Sequence, residues 1–283
     1  MKKVYKKWMM GASLAGAGLV LLDALLLEKY FFETRHYDIG NKKAKDKVRL
    51  ILITDLHFRH TLWPQYEKLA EEINSHEPDL IMITGDTLDS DGDTSPAAKF
   101  LSLLKEETPK VAIPGNHDHK ADKDLRELKK TYESHHCDFL INESKTYQLK
   151  GNRIMITGVD DFIEGEGRFA EAVEEVGREE HHLLLVHSPL QHEVVKKKVQ
   201  FINKLREEKD RLNISYAFAG HNHGGQVRFL NFVPVLPVKS GDYVNGWYNK
   251  EKPFLYVSKG FGTSTLPFRF MARSEMTVLD YYL

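Results

Sequence analysis

Five short clusters of oxygen- and nitrogen-bearing residues punctuate this 283-residue chain, each at the end of an apolar run. In order they are Asp55-Leu56-His57, Gly85-Asp86-Thr87-Leu88-Asp89, Gly115-Asn116-His117-Asp118, His187 after Val186, and Gly220-His221-Asn222-His223-Gly224-Gly225-Gln226. Any one of them is weak, because a lone Asp at a strand end commonly caps a helix or forms a turn. Together they have the donor types of a two-metal centre. Asp, His and Asn offer ligands of intermediate hardness, suited to manganese first and to iron or zinc as alternatives. Asp55 and His57 leave a strand end on the same side and can reach one ion. Asp86 can bridge two ions, and Asn116 adds a neutral carbonyl oxygen. Glycines before Asp86, Asn116 and His221 permit tight turns there. Two ions about 3.5–4 Å apart can hold a bridging hydroxide and clamp the oxygens of a phosphoryl group. His117 points away from its neighbour Asn116. It can stabilise the transition state or protonate a leaving oxygen, with Asp118 or Asp89 orienting it.

The elements that must position these residues follow from hydrophobic pattern. Leu50–Ile53, Leu80–Ile83, Val111–Ile113 and Leu183–Val186 are continuous apolar runs of strand length. Ile214–Ala219 leads into Gly220-His221, and a hairpin is expected around Lys150-Gly151-Asn152. Later strands are expected at Val227–Leu230, Phe254–Ser258 and Met276–Tyr282. Helices are expected from Pro64, over Pro96–Glu106, near 122–134, and within Gln191–Leu212. Strands buried on both faces require helices over the sheet, and ligands in such α/β folds gather at the carboxyl ends of the strands. All five clusters would converge there.

The N-terminus is different. Lys2, Lys3, Lys6 and Lys7 precede an apolar stretch from Trp8 to about Leu27, interrupted by Asp23. About twenty residues is the length of one membrane span, and no Ala-x-Ala-like cleavage site follows it. The expected organisation is a membrane anchor over 1–29, a basic linker over 30–47 and a catalytic domain over 48–283. This places the protein at the cell membrane as a single-pass chain. Lysines on both flanks leave the side of the domain open, leaning outward. Net charge is −1, so no global basic field argues for nucleic acid as a partner. Cys137 stands alone, which excludes an intrachain disulfide. Nothing in the sequence specifies an obligate protein partner.

The motif series Asp55/His57, Asp86/Asp89, Asn116/His117, His187 and His221/His223 resembles that of the calcineurin-like metallophosphoesterases. The extended Gly-His-Asn-His-Gly-Gly-Gln-Val and the tail Gly260–Phe270 are similar to the bacterial membrane- or envelope-associated subgroup with YkuE- and YaeI-like proteins and one type of UDP-diacylglucosamine pyrophosphatase. The resemblance implies a four-layer α/β/β/α sandwich of two mixed sheets and a cofactor of two divalent metal ions. It implies one ion on Asp55, His57, Asp86 and His223, and the other on Asp86, Asn116, His187 and His221. His117 would take the catalytic role. Asn222, between two ligands, is expected to be inconsequential.

The leading expectation is a metal-dependent hydrolase of a phosphate ester or pyrophosphate, acting on a phosphorylated small molecule or lipid-linked substrate at the membrane. Arg59, Arg269 and Arg273 are candidates to hold its phosphate. Phe58, Leu62, Trp63, Leu266, Phe268 and Phe270 are candidates for an apolar lip. A nuclease or cyclic-nucleotide phosphodiesterase on the same centre, and a non-catalytic anchored scaffold, are the competing readings. His119, His135, His136, His181, His182 and His192 are assigned to the surface.

Overall fold

Alternate residues of a strand buried on both faces must satisfy two different cores, and the strand Lys47–Ile53 (β2) does so. In the computed structural model Ile51 and Ile53 pack with helices on one side, while Leu50 and Leu52 face a second sheet on the other. The structure describes Tyr5, Met9, Gly16, Gly18 and residues 22–283 apart from Asn231 and Thr265.

Twelve strands form two six-stranded mixed sheets among the described residues. The first contains β1 (Glu33–Gly40), β2, β3 (Leu80–Thr84), β4 (Lys110–Ile113), β5 (Cys137–Phe139) and β12 (Glu275–Tyr282), in the order β1-β12-β2-β3-β4-β5. The second contains β6 (Glu143–Leu149), β7 (Asn152–Gly158), β8 (His182–Leu185), β9 (Ile214–Ala219), β10 (Gly246–Tyr248) and β11 (Phe254–Val257), in the order β10-β11-β9-β8-β7-β6. β2, β3, β4 and β5 run parallel, as do β7, β8, β9 and β11.

Three apolar layers hold the sheets and helices together. α1 (Pro64–Ser75), α2 (Ser95–Leu103) and α4 (Arg126–Glu133) cover the first sheet through Leu69, Ile73, Phe100, Leu128 and Tyr132. α3 (Asn116–Ala121) lies between α2 and α4 in sequence. The middle layer joins the sheets through Leu80, Met82, Ile154, Leu183, Phe218 and Tyr256. The outer face of the second sheet packs on α5 (Phe169–Ala172) and α6 (Pro189–Leu205) through Phe169, Leu184, Val186 and Val195.

Three expectations are corrected here. Residues 30–47, read as a linker, contain β1, which pairs in parallel with β12 at the sheet edge, from Glu33↔Glu275 to Gly40↔Tyr282. Val227–Leu230 is not a regular strand: only isolated bridges tie Val227 to Phe270 and Phe229 to Phe232. His182 and His192 are buried: His182 Nε2 shares a hydrogen bond with Thr157 Oγ1, and His192 Nε2 donates to the Pro253 carbonyl. Most of the expected anchor, Trp8 to about Leu27, lies outside the described residues; among those described, no helix is long and apolar enough to cross a membrane.

Candidate metal centre

All five clusters sit at the carboxyl ends of β2, β3, β4, β8 and β9, where the chain must turn sharply while presenting side chains inward. Five of the seven candidate ligands, Asp55, His57, Asp86, His221 and His223, have positive φ between 48° and 72°. Such conformations are sparsely populated for non-glycine residues and are retained where surrounding structure imposes them. Neighbouring glycines make the room. A Cβ on Gly220 would lie 2.1 Å from Thr54 Oγ1 and 2.3 Å from an Asp55 carboxylate oxygen. One on Gly115 would lie 2.3 Å from Asp86 Oδ1.

Among the described residues three groups have converging ligand atoms: Asp55, His57 and His223 form one, Asp86, His187 and His221 another, and His57 with Asp89 and His117 a third. The first two hold candidate ligands alone. Asp86 joins them: its Oδ2 is 3.3 Å from His187 Nε2 and 3.7 Å from His57 Nε2. His57 Nε2 and His223 Nε2 face each other at 3.1 Å, and His223 Nε2 is 3.4 Å from Asp55 Oδ1. Asn116, on the first turn of α3, has a buried Oδ1 without a hydrogen-bond partner, and His187 Nε2 is likewise unpartnered. Unpaired buried acceptors are costly. Lone pairs converging on a shared carboxylate fit a pair of divalent cations.

Outer contacts fix the ligands' tautomers and orientations, as metal sites require. His187 Nδ1 donates to the Thr84 carbonyl at 2.8 Å, leaving Nε2 free. His221 Nε2 donates to the Val238 carbonyl at 2.9 Å. Thr54 Oγ1 and the His221 backbone N–H donate to the Asp55 carboxylate. Burial pushes His221 down to about 4 and His223 well below the ordinary histidine value, favouring neutral imidazoles. Burial also opposes charging His187, but the Asp86 carboxylate outweighs it and raises that histidine to about 10.

His117 stands beside the ligands with its ring 4.6 Å from that of His57. Its Nδ1 meets Asp89 Oδ1 at 3.0 Å and Ser90 Oγ at 2.8 Å. Burial works against protonation of His117, and the Asp89 hydrogen bond with the Asp86 charge raises its pKa overall. Asp118 plays no part in orienting it. Its carboxylate accepts the N–H groups of Leu88 at 2.7 Å and Gly115 at 2.9 Å, which caps α3 and pins the Asp86 loop.

The three candidate arginines are in different places. Arg59 is half-exposed and does not line the central cavity; its Nε lies 2.7 Å from Asp89 Oδ2. Arg273 is exposed and does not line the central cavity. Arg269 is fully buried, and its guanidinium donates to the carbonyls of Gly262, Lys259, Ala272 and His223. It braces the ligand loop and has no donor left for a phosphate, which corrects the substrate-binding expectation. Of the expected apolar lip, Phe58 is core, whereas Trp63 and Leu266 are exposed.

Asn222, expected to be inconsequential, is fully buried: Nδ2 donates to the Tyr243 carbonyl at 2.6 Å and Oδ1 accepts from Ser240 Oγ at 2.6 Å. It ties the ligand turn to residues 240–243. Lys120 carries no signal in the sequence; it lines the cavity and pairs with Glu164 at 3.4 Å.

That cavity, of about 550 Å³, has two unlike walls. Asp86, Asn116, His117, His221 and His223 form one, and Pro234–Val238 with Leu266 form much of the other.

A family model for calcineurin-like phosphoesterases matches residues 48–225, more than half of the chain, and the chain belongs to that family. It is a phosphoesterase hydrolase whose fold extends beyond the matched span, from β1 to β12. The uncharacterized protein YpbG of Bacillus subtilis (strain 168) is 26% identical over 280 residues, covering 95% of this chain and 97% of that one. The uncharacterized metallophosphoesterase YkoQ of the same strain is 28% identical over 244 residues, covering 83% of each. A Bos taurus relative called transmembrane protein with metallophosphoesterase domain is 26% identical over 252 residues; the match covers 83% of this chain and 53% of that protein. The crystal structure of TT1561 of Thermus thermophilus shares the fold, with TM-score 0.50 and 13% identity over 76% of this chain and 91% of that one.

Proposed function

We propose that this chain hydrolyses a phosphate-ester or pyrophosphate bond on a lipid-linked, membrane-borne substrate, with a UDP-linked lipid precursor as the leading candidate. The observation that carries this reading is the two-walled cavity. Its ligand wall suits a phosphoryl group, and its Pro234–Val238 wall suits an apolar substituent on the same molecule.

In this reading Asp55, His57, Asp86 and His223 would hold one divalent ion and Asp86, Asn116, His187 and His221 the other, manganese being the first choice and iron or zinc the alternatives. When bound, such ions supply Lewis acidity toward phosphoryl oxygens and lower the pKa of water. The protein's own groups do the rest. With Nδ1–H held by Asp89, His117 presents Nε2 to the cavity, where it gives its proton to the leaving oxygen as a water oxygen bonds to phosphorus and the phosphorus–leaving-oxygen bond breaks. Lys120 at the mouth is placed to meet a phosphate oxygen. Pro234–Val238 limits access of bulk water to that side.

The name of the bovine relative is consistent with a membrane setting, as is the apolar N-terminal stretch. A nucleotide-linked lipid would require the domain to face the cytoplasm. The test is to offer the manganese-loaded full chain UDP-diacylglucosamine and a water-soluble aryl phosphodiester in parallel. Turnover of the lipid nucleotide that is lost in Asp86→Ala supports the reading. Turnover of the aryl diester alone contradicts the lipid-linked substrate while leaving the hydrolytic chemistry intact.

A further inference from the structure

Beside the mouth of the cavity the chain exposes large apolar side chains that no core accommodates. Phe229 and Phe232 exchange both backbone hydrogen bonds, at 2.9 and 3.0 Å, which holds Leu230, 75% exposed, in a tight turn. This turn leans on the C-terminal tail. The Phe229 ring lies 5.5 Å from that of Phe270, Arg228 N–H donates to the Phe270 carbonyl, and Leu230 N–H meets the Met271 sulfur.

A second segment arrives at the same tail from the other end of the sequence. The helical turns Asp23–Leu27 and Glu28–Tyr30 are fastened there by Glu28, whose carboxylate accepts the N–H groups of Met271 at 2.9 Å and Ala272 at 2.8 Å. Arg269 N–H also donates to the Ala24 carbonyl. Leu22, Leu25 and Leu27 stay exposed, as does Met271 between the two segments. Residues more than two hundred positions apart in sequence are thus joined into one apolar face. Monomer surfaces rarely carry large contiguous apolar patches without an interaction that covers them.

We propose that this face, centred on Phe229, Leu230, Phe232, Met271, Leu25 and Leu27, docks on a lipid bilayer and sets the cavity mouth against the headgroups. Three observations favour lipid over a protein partner. The apolar stretch from Trp8 to about Leu27 ends on the face itself, so that the chain beyond it runs directly into a membrane-length apolar segment. Residues 220–241 and 252–274 contain no Asp or Glu, while Lys239 and Arg273 are exposed there, a composition that suits anionic headgroups. The apolar groups project from a turn and a helix end rather than lining a groove, which suits shallow insertion. The docking deepens the proposed function by supplying a route for an amphiphilic phosphate from the bilayer, with its apolar part along Pro234–Val238; it rests on that reading only for this delivery.

The test uses the full chain reconstituted into vesicles of mixed zwitterionic and anionic phospholipid. An environment-sensitive fluorophore is placed at Leu230→Cys, Cys137 being buried, and in a second preparation at Glu207→Cys, which precedes the start of β9 at the opposite end of the sheet. The expected result is quenching of the label at 230 by spin-labelled lipid with protection from aqueous iodide, and the reverse at 207. Iodide quenching at 230 without lipid quenching overturns the proposal, as does protection of that label that depends on protein concentration rather than lipid. In parallel, Leu230→Asp combined with Phe232→Asp is expected to change turnover of the soluble aryl phosphodiester by less than about twofold and to lower turnover of vesicle-borne lipid phosphate about tenfold or more. An equal loss on both substrates overturns delivery. No turnover of lipid phosphate by the parent chain, with lipid quenching at 230 retained, removes the substrate reading and supports docking by itself.

Discussion

Asp89 Oδ1 lies 3.0 Å from His117 Nδ1, while the other oxygen of the same carboxylate is held by Arg59 Nε at 2.7 Å. The relay Arg59–Asp89–His117 fixes which ring nitrogen of His117 faces the cavity. It also draws Asp89 well below the usual carboxylate pKa: burial opposes the shift, and the His117 hydrogen bond, the nearby His57 ring and the Arg59 hydrogen bond together outweigh it. Positioned proton transfer contributes about 10²–10⁴-fold to rate. His117→Ala is therefore expected to lower kcat on an aryl phosphodiester by about that factor, and Asp89→Asn by about tenfold or more, with metal content unchanged in both. The double variant should be no slower than His117→Ala. Additive losses, or metal loss in Asp89→Asn, would show that Asp89 does not act through His117.

Gly220→Ala tests the cradle that positions Asp55. The added methyl would meet Thr54 Oγ1 at 2.1 Å and the Asp55 carboxylate at 2.3 Å. Overpacking of this kind costs about 1–3 kcal/mol. The expected result is a destabilised chain with weakened affinity in the Asp55–His57–His223 group, read by urea unfolding and metal titration. Wild-type affinity would mean that Asp55 can shift without consequence for the site.

Arg269 and Arg273 should separate sharply. Removing Arg269 leaves four carbonyls without their buried donor and loosens His223. Breaking such a buried charged network costs about 3–5 kcal/mol. Arg273, exposed, should tolerate Ala within about 0.5 kcal/mol. Denaturant midpoints decide the matter; a stable Arg269→Ala chain with only a raised KM would restore the substrate-binding role.

The sequence reveals the ligands because each ends an uninterrupted apolar run, so pattern and chemistry coincide at Asp55, Asp86, Asn116, His187 and His221. It hides β1 because Glu33–Gly40 is an edge strand of mostly polar residues whose partner, β12, lies at the other end of the chain. The role of Arg269 is obscured for a related reason. Its acceptors are main-chain carbonyls at Lys259, Gly262 and Ala272, which residue types do not disclose. Asn222 looks inconsequential on strand alternation, but a turn, not a strand, carries it, and its side chain faces inward to Ser240 and Tyr243.

Asp280 gives the pH prediction. Hydrogen bonds from Arg49 and Lys47 hold its carboxyl down at about 2, and they clamp β12 to β2. Because the folded-state pKa lies below the ordinary aspartate value, the stabilisation is fully present above about pH 4 and is lost as pH falls through about 2. Asp280→Asn should cost on the order of 1 kcal/mol at neutral pH, allowing for solvent screening. The difference from the parent should shrink as the medium is acidified toward pH 2. A difference independent of pH would assign the effect to packing.

Asp86 lies between the two ligand groups, as a carboxylate shared by a pair of cation sites must. The most direct measurement is metal content of the full chain, stripped with a chelator and titrated with manganese, alongside Asp86→Ala. The expected outcome is two equivalents bound by the parent, hydrolysis of an aryl phosphodiester restored only as the second is taken up, and loss of both tight binding and turnover in Asp86→Ala. A single equivalent at full activity, or turnover that survives the chelator, would contradict it.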